Sequence, residues 1–322
     1  MGAYAIRRLI WIPITVILTS MFVFSLVRFI PGSVVDLIVA QIQAGAGQGI
    51  AVVDRAQIEH SLGLDKPIYV QYGKWVENIV IHGSLGTSLN NDQDIAQEIM
   101  QRLPVTFELG LMALIIGIII SIPIGVFAAM RQDSIPDYIL RSIAILLISV
   151  PGFWLGTMIM IYPSIWWGWS PPMQLIPFAK DPIGNLGMFL IPALVLGTSM
   201  TGASMRMTRT MMLEVLRQDY IRTAWAKGLN ERVIVIRHAL KNALIPVITI
   251  IGMQLPILVG GSVIIEQIFV LPGIGRLLLE ALSARDYPIV SGVNLILATF
   301  VIFVNLAVDL TYGWLDPRIH YQ

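Results

Sequence analysis

Residues 206–246 read RMTRTMMLEVLRQDYIRTAWAKGLNERVIVIRHALKNALIP, a long charged passage between apolar segments. Four of its residues follow the i, i+3, i+4, i+7 spacing that places side chains on one face of an α-helix: Ile221, Ala224, Trp225 and Gly228. Ala224 and Gly228 lie one turn apart on that face and leave it almost bare of side chain. The pattern therefore predicts a short helix whose backbone a partner could approach closely.

A break follows this helix. Lys227 and then Gly228 are typical of a helix end, because a cation is favoured in the last turn and glycine accepts a positive φ. Asn230 can cap a second helix, with Glu231 in its first turn, where negative charge is favoured. Two short helices that meet at a glycine indicate a docking element. A basic amphipathic helix lying on anionic lipid has the same features, so the residues alone leave both interpretations open.

The same passage resembles a known family of transport proteins. Arg222-Thr223-Ala224, Gly228, Ile234 and the word NALIP at 242–246 resemble the EAA loop of ABC-importer permeases, although the motif opens with Arg-Thr-Ala rather than Glu-Ala-Ala. The wording DYIRTAWAKGL…RHALKNALIPV is similar to that of the dipeptide/oligopeptide branch. The resemblance implies a cytosolic coupling helix that sits in a cleft of an ATPase subunit, and it favours docking over lipid binding. The residues assigned to ATPase coupling are Ile221, Arg222, Ala224, Trp225, Lys227 and Gly228.

Composition places the chain in a membrane. Hydrophobic residues make up 56% of the 322 residues and charged residues 13%, against about 25% charged in a soluble domain. The mean hydropathy is +0.77. A net charge of +1 gives no indication of nucleic-acid binding, and a chain without cysteine has no disulfide or thiolate metal site. The four histidines are scattered without ligand spacing, so no cofactor is expected in this chain.

Apolar runs of about 20 residues, the length that crosses the hydrocarbon core, predict six transmembrane helices. They lie at 9–30, 105–130, 139–161, 186–205, 244–270 and 289–312. The first run is too long for a signal-peptide core, so it is predicted to be an uncleaved helix. Prolines lie inside several runs, and Pro151-Gly152 interrupts the third. The predicted fold class is an all-α integral membrane protein, with a large external loop after the first helix and a cytosolic EAA-type loop between the fourth and fifth.

The predicted domains follow from these spans. They are an N-terminal transmembrane helix at 1–30, an external region at 31–104, a permease core at 105–316 that includes the coupling loop 206–243, and a cytosolic tail at 317–322. Two words in the external region, LGLDKPIYVQYGKWVENIV and GSLGTSL, resemble the long external loop of the same permease branch. Aromatic and apolar residues at helical spacing predict a helix over 71–81. It is either an interfacial helix with an aromatic anchor or a contact surface for a solute-binding protein.

Basic residues near the membrane set the predicted orientation, because they are enriched on the cytosolic side. With the N-terminus inside, 13 of the 21 lysines and arginines lie on that side, which places both termini in the cytosol. They are Arg7, Arg8, Arg131, Arg141, Arg206, Arg209, Arg217, Arg222, Lys227, Arg232, Arg237, Lys241 and Arg318.

A few further residues bear polar or aromatic chemistry near the membrane. An interfacial belt explains Trp166, Trp167 and Trp169. The stretch IIEQIFVLPGIGRLLLEAL at 264–282 resembles an external re-entrant segment of these permeases, and its role stays open between a gate and a packing element. It carries Glu266, Arg276 and Glu280. Three ionisable residues lie near the ends of predicted spans, where they can be solvated or paired: Arg28, Glu108 and Asp309.

The sequence predicts a transport subunit rather than an enzyme. It contains no GxxxxGK[ST] phosphate loop and no HExxH motif. Ionisable groups are scarce near the midplane, which argues against a proton- or sodium-driven carrier. The expected function is the permease subunit of an ATP-driven ABC importer in a bacterial or archaeal plasma (inner) membrane, with di- or oligopeptides as the expected solute. The resemblance implies a second permease subunit, two ATPase subunits that bind ATP and Mg, and an external solute-binding protein.

Two other classes of protein stay open. A self-sufficient secondary transporter or channel would transport when reconstituted alone, and a membrane-anchored assembly subunit would show no solute flux. Within the permease branch, glutathione, nickel complexes, opines and oligosaccharides are alternative solutes, because specificity lies largely in the binding protein. The spans are also rich in glycine and serine, which let helices pack closely and predict a heterodimeric membrane core.

Overall fold

The computed structural model describes residues 2–28, 39, 65–172 and 174–315. Over these residues the chain is helical, apart from turns and one isolated antiparallel bridge between Thr87 and Asp94. The all-α fold class is therefore confirmed. Most of the predicted external loop up to residue 64, with its glycine-rich piece at 45–49, and the tail at 317–322 lie outside the described residues.

The helices follow one another along the chain with short connections. In order, they are α1 (Gly2–Arg28), α2 (Ile68–His82), α3 (Ile95–Met130), α4 (Ile135–Ser149), α5 (Gly152–Trp167), α6 (Pro182–Leu216), α7 (Asp219–Ala226), α8 (Glu231–Ile268), α9 (Ile274–Ser283) and α10 (Tyr287–Leu315). Within α8, residues Ile234–Leu240 form a π-helical segment.

Five of the described helices, α1, α3, α6, α8 and α10, are long and apolar enough to cross a membrane. The pair α4 and α5 passes the same test only when taken together, and the two helices meet at a bend of 95°. The described chain thus has five candidate membrane spans, or six when the bent pair counts as one. The second count matches the predicted arrangement.

The bend between α4 and α5 arises at Pro151. A proline pushes the residue before it out of the helical region, and Val150 accordingly has extended angles of φ −79° and ψ 121°. Pro151 then precedes α5 with φ −62° and ψ 130°. The interruption predicted at Pro151-Gly152 is confirmed, but the third predicted helix is two helices that change direction sharply.

Several helices extend beyond the apolar runs that predicted them. Helix α3 begins at Ile95 rather than at 105, α6 ends at Leu216 rather than at 205, and α8 begins at Glu231 rather than at 244. Only the part of a helix inside the hydrocarbon must be apolar, so hydropathy does not mark the helix ends. As a consequence, most of the predicted coupling loop at 206–243 is helical.

The chain divides into two compact units. The larger comprises residues 1–10, 103–276 and 300–322. Its apolar core contains side chains from α3, α6 and α8, among them Leu109, Phe189, Met200 and Leu258, all buried. This core holds together the helices from which the candidate site projects.

The smaller unit comprises residues 11–102 and 277–299. Helix α2 lies in it and confirms the helix predicted over 71–81. The rings of Tyr72 and Trp75 pack on Phe24 of α1, with centroid distances of 5.4 and 5.6 Å. The Tyr72 hydroxyl is also hydrogen-bonded to Ser20 Oγ at 2.8 Å. The aromatic face of α2 therefore contacts the first membrane helix.

The GSLGTSL word forms a turn that Asp286 fixes within the same unit. The buried Asp286 carboxylate accepts hydrogen bonds from Ser88 Oγ at 2.5 Å and from the backbone N–H of Leu89 at 3.1 Å. The Asn90 amide adds a longer one at 3.3 Å. Because these donors converge on one buried carboxylate, the turn is held rigidly at the start of α10.

Helices α4 and α6 approach closely where α6 carries Gly202. A Cβ built on Gly202 would lie 2.7 Å from the carbonyl oxygen of Ala144 and 2.9 Å from Cγ1 of Ile148. The first neighbour is backbone, so it cannot move aside as a flexible side chain would. Close contact between these two helices thus requires glycine at this position.

We expect Gly202→Ala to destabilise the assembled protein by about 1–3 kcal/mol, since one methyl group overpacks this contact. The measurement is the thermal unfolding midpoint of the purified complex in detergent. Gly187→Ala is the matched control, because it lies in the same helix with nothing within 4 Å of its built Cβ. Alanine favours the helix by about 1 kcal/mol relative to glycine, so the control should be neutral or more stable. Equal midpoints for the two variants would contradict the close approach.

The two ends of the described chain are joined by an ion pair. Arg8 near the start of α1 lies 2.9 Å from a carboxylate oxygen of Asp309 near the end of α10. Asp309 is therefore paired, which is one of the two states predicted for it. Glu108 is half-buried in α3, and the side chain of Arg28 lies outside the described residues.

The tryptophans at the end of α5 stay largely exposed. Trp166 and Trp167 contact each other edge to face with a centroid distance of 5.6 Å, and Tyr162 lies 5.0 Å from Trp166. The interfacial belt remains a prediction for this group.

Candidate functional site

The predicted short helix and its glycine stop are present in α7. Gln218 precedes the helix and Lys227 ends it, followed by Gly228 with φ +71°. The backbone N–H of Gly228 donates to the Trp225 carbonyl at 2.9 Å, and that of Leu229 donates to the Ala224 carbonyl at 3.4 Å. These bonds satisfy the last carbonyls of the helix, and the positive φ explains why glycine follows Lys227.

The chain restarts as a helix at once. Asn230 Oδ1 accepts a hydrogen bond from the Arg232 backbone N–H at 3.1 Å, and Glu231 lies in the first turn, as predicted. The second helix is not short, however. It continues without interruption as α8, so α7 lies at the base of a membrane-spanning helix.

The predicted docking face of α7 is divided between the interior and the surface. Ile221 is 0% and Ala224 is 7% exposed. Ala224 thus does not present the bare patch predicted for it, because the chain's own helices cover it. The two side chains belong to a buried group, here called the α7 cluster: Ala129, Met212, Ile221, Ala224, Ile234, Val235, Ala239 and Ala243.

The α7 cluster joins four parts of the chain. Ala129 comes from α3, Met212 from α6, and Ile234, Val235 and Ala239 from the π-helical segment of α8. A π-helix has an i→i+5 hydrogen-bond pattern and is frequent at functional sites. Burial of the inner side of α7 against this segment fixes the helix to the adjacent ends of three membrane helices.

The outer side of α7 is a mixed basic and aromatic surface. We call it the α7 surface: Tyr220, Arg222, Trp225, Lys227, Gly228 and Leu229, all exposed. Trp225 is 46% exposed, and Arg222 pairs with the exposed Asp219 of its own helix at 3.4 Å. No heavy atom lies within 4 Å of a Cβ built on Gly228, so the surface is open there. Four of the six predicted coupling residues therefore share this surface, and Ile221 and Ala224 support it from beneath.

Two residues of this site were missed at the level of sequence. Tyr220 and Leu229 lie on the α7 surface, and the Tyr220 hydroxyl accepts a hydrogen bond from Asn242 Nδ2 of α8 at 2.8 Å. Asn242 belongs to the NALIP word, so the resemblance marked one end of this contact. Tyr220, the partner of Asn242 in this contact, could not be identified from the sequence because it lies 22 residues away on another helix.

The re-entrant stretch is organised by Glu266, which is fully buried. Its carboxylate accepts hydrogen bonds from Thr106 Oγ1 at 2.7 Å and from the Arg276 backbone N–H at 3.0 Å. Thr106 Oγ1 in turn accepts from the Ile274 backbone N–H at 2.8 Å. The start of α9 is thereby tied to α3 and α8, which favours the packing role over a mobile gate at this point. Glu280 pairs with Arg102 at 3.2 Å.

A groove lies between α5, α6 and α8. Its volume is about 200 Å³, and its lining is apolar apart from Thr198, Ser199 and Gln254. Among the described residues, no charged side chain lines it. Over the described residues, no group of three or more His, Asp or Glu side chains could hold a metal ion.

Two family models match the chain. Residues 121–321 match the binding-protein-dependent transport system inner membrane component, and residues 1–110 match the N-terminal region of such membrane components. The chain belongs to this permease family. It is the membrane-spanning subunit of an ABC importer, and it is not itself an enzyme.

Relatives of the permease match over their whole length. A Brucella suis protein named as a peptide transport system permease is 42% identical over 322 residues and covers all of both chains. The dipeptide transport system permease DppB of Escherichia coli K12 is 39% identical over 342 residues, with 99% of each chain covered. The permease also has the fold of a chain of the MetNI methionine ABC transporter in inward-facing conformations. That match has a TM-score of 0.56 at 16% identity, over 68% of the permease and 97% of that chain.

Family membership places the permease in an inner membrane as a multi-pass protein and implies an ATPase partner and a binding protein.

Proposed function

We propose that the permease carries di- or oligopeptides and that the α7 surface docks on an ATPase subunit. The observation that carries the docking role is the division of α7 into two sides. Its inner side is buried in a cluster shared with α3, α6 and α8, and its outer side exposes Arg222, Trp225 and Lys227. A helix built in this way can receive a displacement on one side and pass it to membrane helices on the other. The peptide substrate is supported by the names of the full-length relatives.

The same division disfavours the lipid-surface interpretation of α7. A helix that lies on a membrane turns its apolar face toward the acyl chains and its charged face toward water. In α7 the apolar Ile221 and Ala224 face the chain's own interior. The outward side mixes charged, aromatic and bare positions, which suits contact with a protein cleft that carries acidic groups.

In this mechanism, ATP-driven closure of two ATPase subunits displaces α7, and the helix bundle alternates its access between the two faces of the membrane. A second permease subunit of similar fold contributes the other half of the pathway. An external solute-binding protein delivers the peptide. The region at 31–104 lies outside the cell membrane in this arrangement, the core at 105–316 forms the half-pathway, and both termini and the tail at 317–322 lie in the cytosol.

The groove between α5, α6 and α8 is our candidate for this half-pathway. A glutamine and a serine that face lipid would lose their hydrogen bonds to water, so a groove lined by Ser199 and Gln254 suits a partner or a hydrated path. The uncharged polar groups of the groove can form hydrogen bonds with the backbone amides of a peptide, whatever side chains that peptide carries.

Reconstitution tests the function directly. We expect proteoliposomes that contain the permease, its partner permease, both ATPase subunits and the binding protein to accumulate a labelled dipeptide in an ATP-dependent way. The permease alone should show no flux. Dipeptide flux through the permease alone, without ATP, would instead support a self-sufficient transporter.

Single cysteines test the orientation, because the natural chain has none. Asn91→Cys in the turn before α3 should react with a membrane-impermeant maleimide in intact cells. Asn230→Cys, between α7 and α8, should react only after the membrane is opened. Both positions are exposed, so access to the side chain does not limit the reaction. Labelling of both from the same side would overturn the proposed topology.

A further inference from the structure

Asp137 in the first turn of α4 is fully buried yet charged, and it is not part of the α7 surface. Its carboxylate accepts hydrogen bonds from Arg209 Nε at 2.6 Å and from Arg209 Nη2 at 2.7 Å. A third comes from the backbone N–H of Asp133 at 3.0 Å. Arg141 lies farther away, at 4.0 Å, and is more exposed than Arg209.

This arrangement ties three pieces of chain together. Arg209 belongs to α6, Asp137 begins α4, and Asp133 lies in the turn after α3 with a positive φ of 58°. The two parallel bonds from one guanidinium fix direction as well as distance, unlike a single contact between point charges. The two bonds therefore set both the distance and the direction of the start of α4 relative to α6.

The tie lies beside the α7 cluster. Met212, one turn beyond Arg209 on α6, is 0% exposed and packs in that cluster with Ile221 of α7. Ala129, at the end of α3, packs there as well. The last turns of α6 thus touch the docking helix through the cluster and the bent pair α4–α5 through the ion pair.

We propose that Asp137 and Arg209 form a positioning pair that makes α4 follow α6 when α7 is displaced, so that ATP hydrolysis reaches the α4–α5 pair. This role rests on the proposed docking of α7. Stability alone does not account for the pair. Burial of two charges costs desolvation free energy that their attraction roughly offsets, and apolar replacements of similar volume often fold as well. What apolar replacements lose is the fixed geometry.

The test uses the complete importer, reconstituted with its partner subunits, and the double variant Asp137→Leu/Arg209→Met. The double variant leaves no unpaired buried charge and should assemble. Spin labels at Ile145 on α4 and Thr210 on α6, both exposed, report the distance between the two helices. In the wild-type pair we expect one distance, unchanged between the nucleotide-free and ATP-bound states. In the double variant that distance should change with nucleotide.

Dipeptide uptake per ATP hydrolysed gives the second readout. We expect it to fall at least about fivefold in the double variant, the lower end of typical coupling between two sites, with ATP hydrolysis retained. Arg141→Met is the matched control, because it removes the more distant cation and leaves both short bonds in place. Arg209→Lys keeps the charge but not the two parallel bonds, so it should give the same defect in milder form.

Wild-type distances and wild-type uptake per ATP in the double variant would overturn the proposal. Should the double variant fail to assemble, Arg209→Lys decides, and normal coupling in that variant overturns the proposal equally. The distance measurement needs no solute, so it is independent of the substrate proposed above. Binding of the ATPase subunits is measured under the same conditions for variants of the α7 surface. Binding that does not change in those variants would count against the docking role of α7 rather than against the Asp137–Arg209 pair.

Discussion

Gly228→Val should strongly weaken capture of the ATPase subunits while the permease still inserts into the membrane. Gly228 has φ +71°, a conformation that a β-branched residue adopts only under strain of about 1–3 kcal/mol. A side chain there meets no other atom of the permease, so the fold itself has room for it. The defect then arises at the α7 surface, through the strained turn and through contact with the partner. A loss of about 2 kcal/mol corresponds to roughly 30-fold weaker binding.

Co-purification of the ATPase subunits with the permease, at matched expression in the membrane, measures this effect. Gly228→Asn separates the two causes, because asparagine tolerates a positive φ but still adds bulk to the surface. Capture that is lost in both variants indicates a clash with the partner, and capture lost only with valine indicates strain at the turn. The control is Asn230→Ser, which keeps an exposed cap two residues away. Normal capture and transport by Gly228→Val would return α7 to the lipid-surface interpretation.

Glu266→Ala should destabilise the permease severely. The variant removes the acceptor of the Thr106 hydroxyl and of the Arg276 N–H. Each unsatisfied buried group costs about 1–3 kcal/mol, so the total is about 2–6 kcal/mol before any cavity is counted. The start of α9 would also lose its tie to α3 and α8. We expect a lower thermal midpoint for the purified complex and less protein in the membrane.

Gln267→Ala is the matched control for Glu266→Ala, because Gln267 is the next residue on α8 and is exposed. Glu266→Gln should be intermediate, since the amide keeps one acceptor and the volume but turns its NH₂ group toward donors. A thermal midpoint for Glu266→Ala equal to that of Gln267→Ala would show that the carboxylate does not hold the re-entrant segment.

Sequence patterns located most of the fold because long apolar runs leave few alternatives in a membrane. The glycine stop at Gly228 and the cap at Asn230 were also predictable, since both depend on local backbone chemistry. The helix ends were not. Helix α6 continues to Leu216 through charged residues that hydropathy assigns to a loop. Pro151 revealed the break in the third span, but a proline signals only that a helix stops and not that the next one turns by 95°.

The candidate site was predictable as a periodic pattern but not as a surface. Helical spacing grouped Ile221 with Trp225, yet spacing does not reveal which side of a helix its own chain covers. Ile221 is buried because Met212 and Ile234 lie against it. The buried polar contacts between distant residues were even harder to predict from the sequence. Asp137 and Arg209 are separated by 72 residues, and Glu266 and Thr106 by 160, so nothing local in the sequence pairs them.

The contact between Arg8 and Asp309 has a topological consequence. A chain whose first and last helices end on the same face of a membrane crosses that membrane an even number of times. Counting the described helices alone, six crossings place Arg8 and Asp309 on one face of the membrane, and five would place them on opposite faces. The even count is the one in which the pair α4–α5 makes a net passage across the membrane in spite of its 95° bend. Among the described helices, this one contact thus favours the count in which α4 and α5 together form a single span.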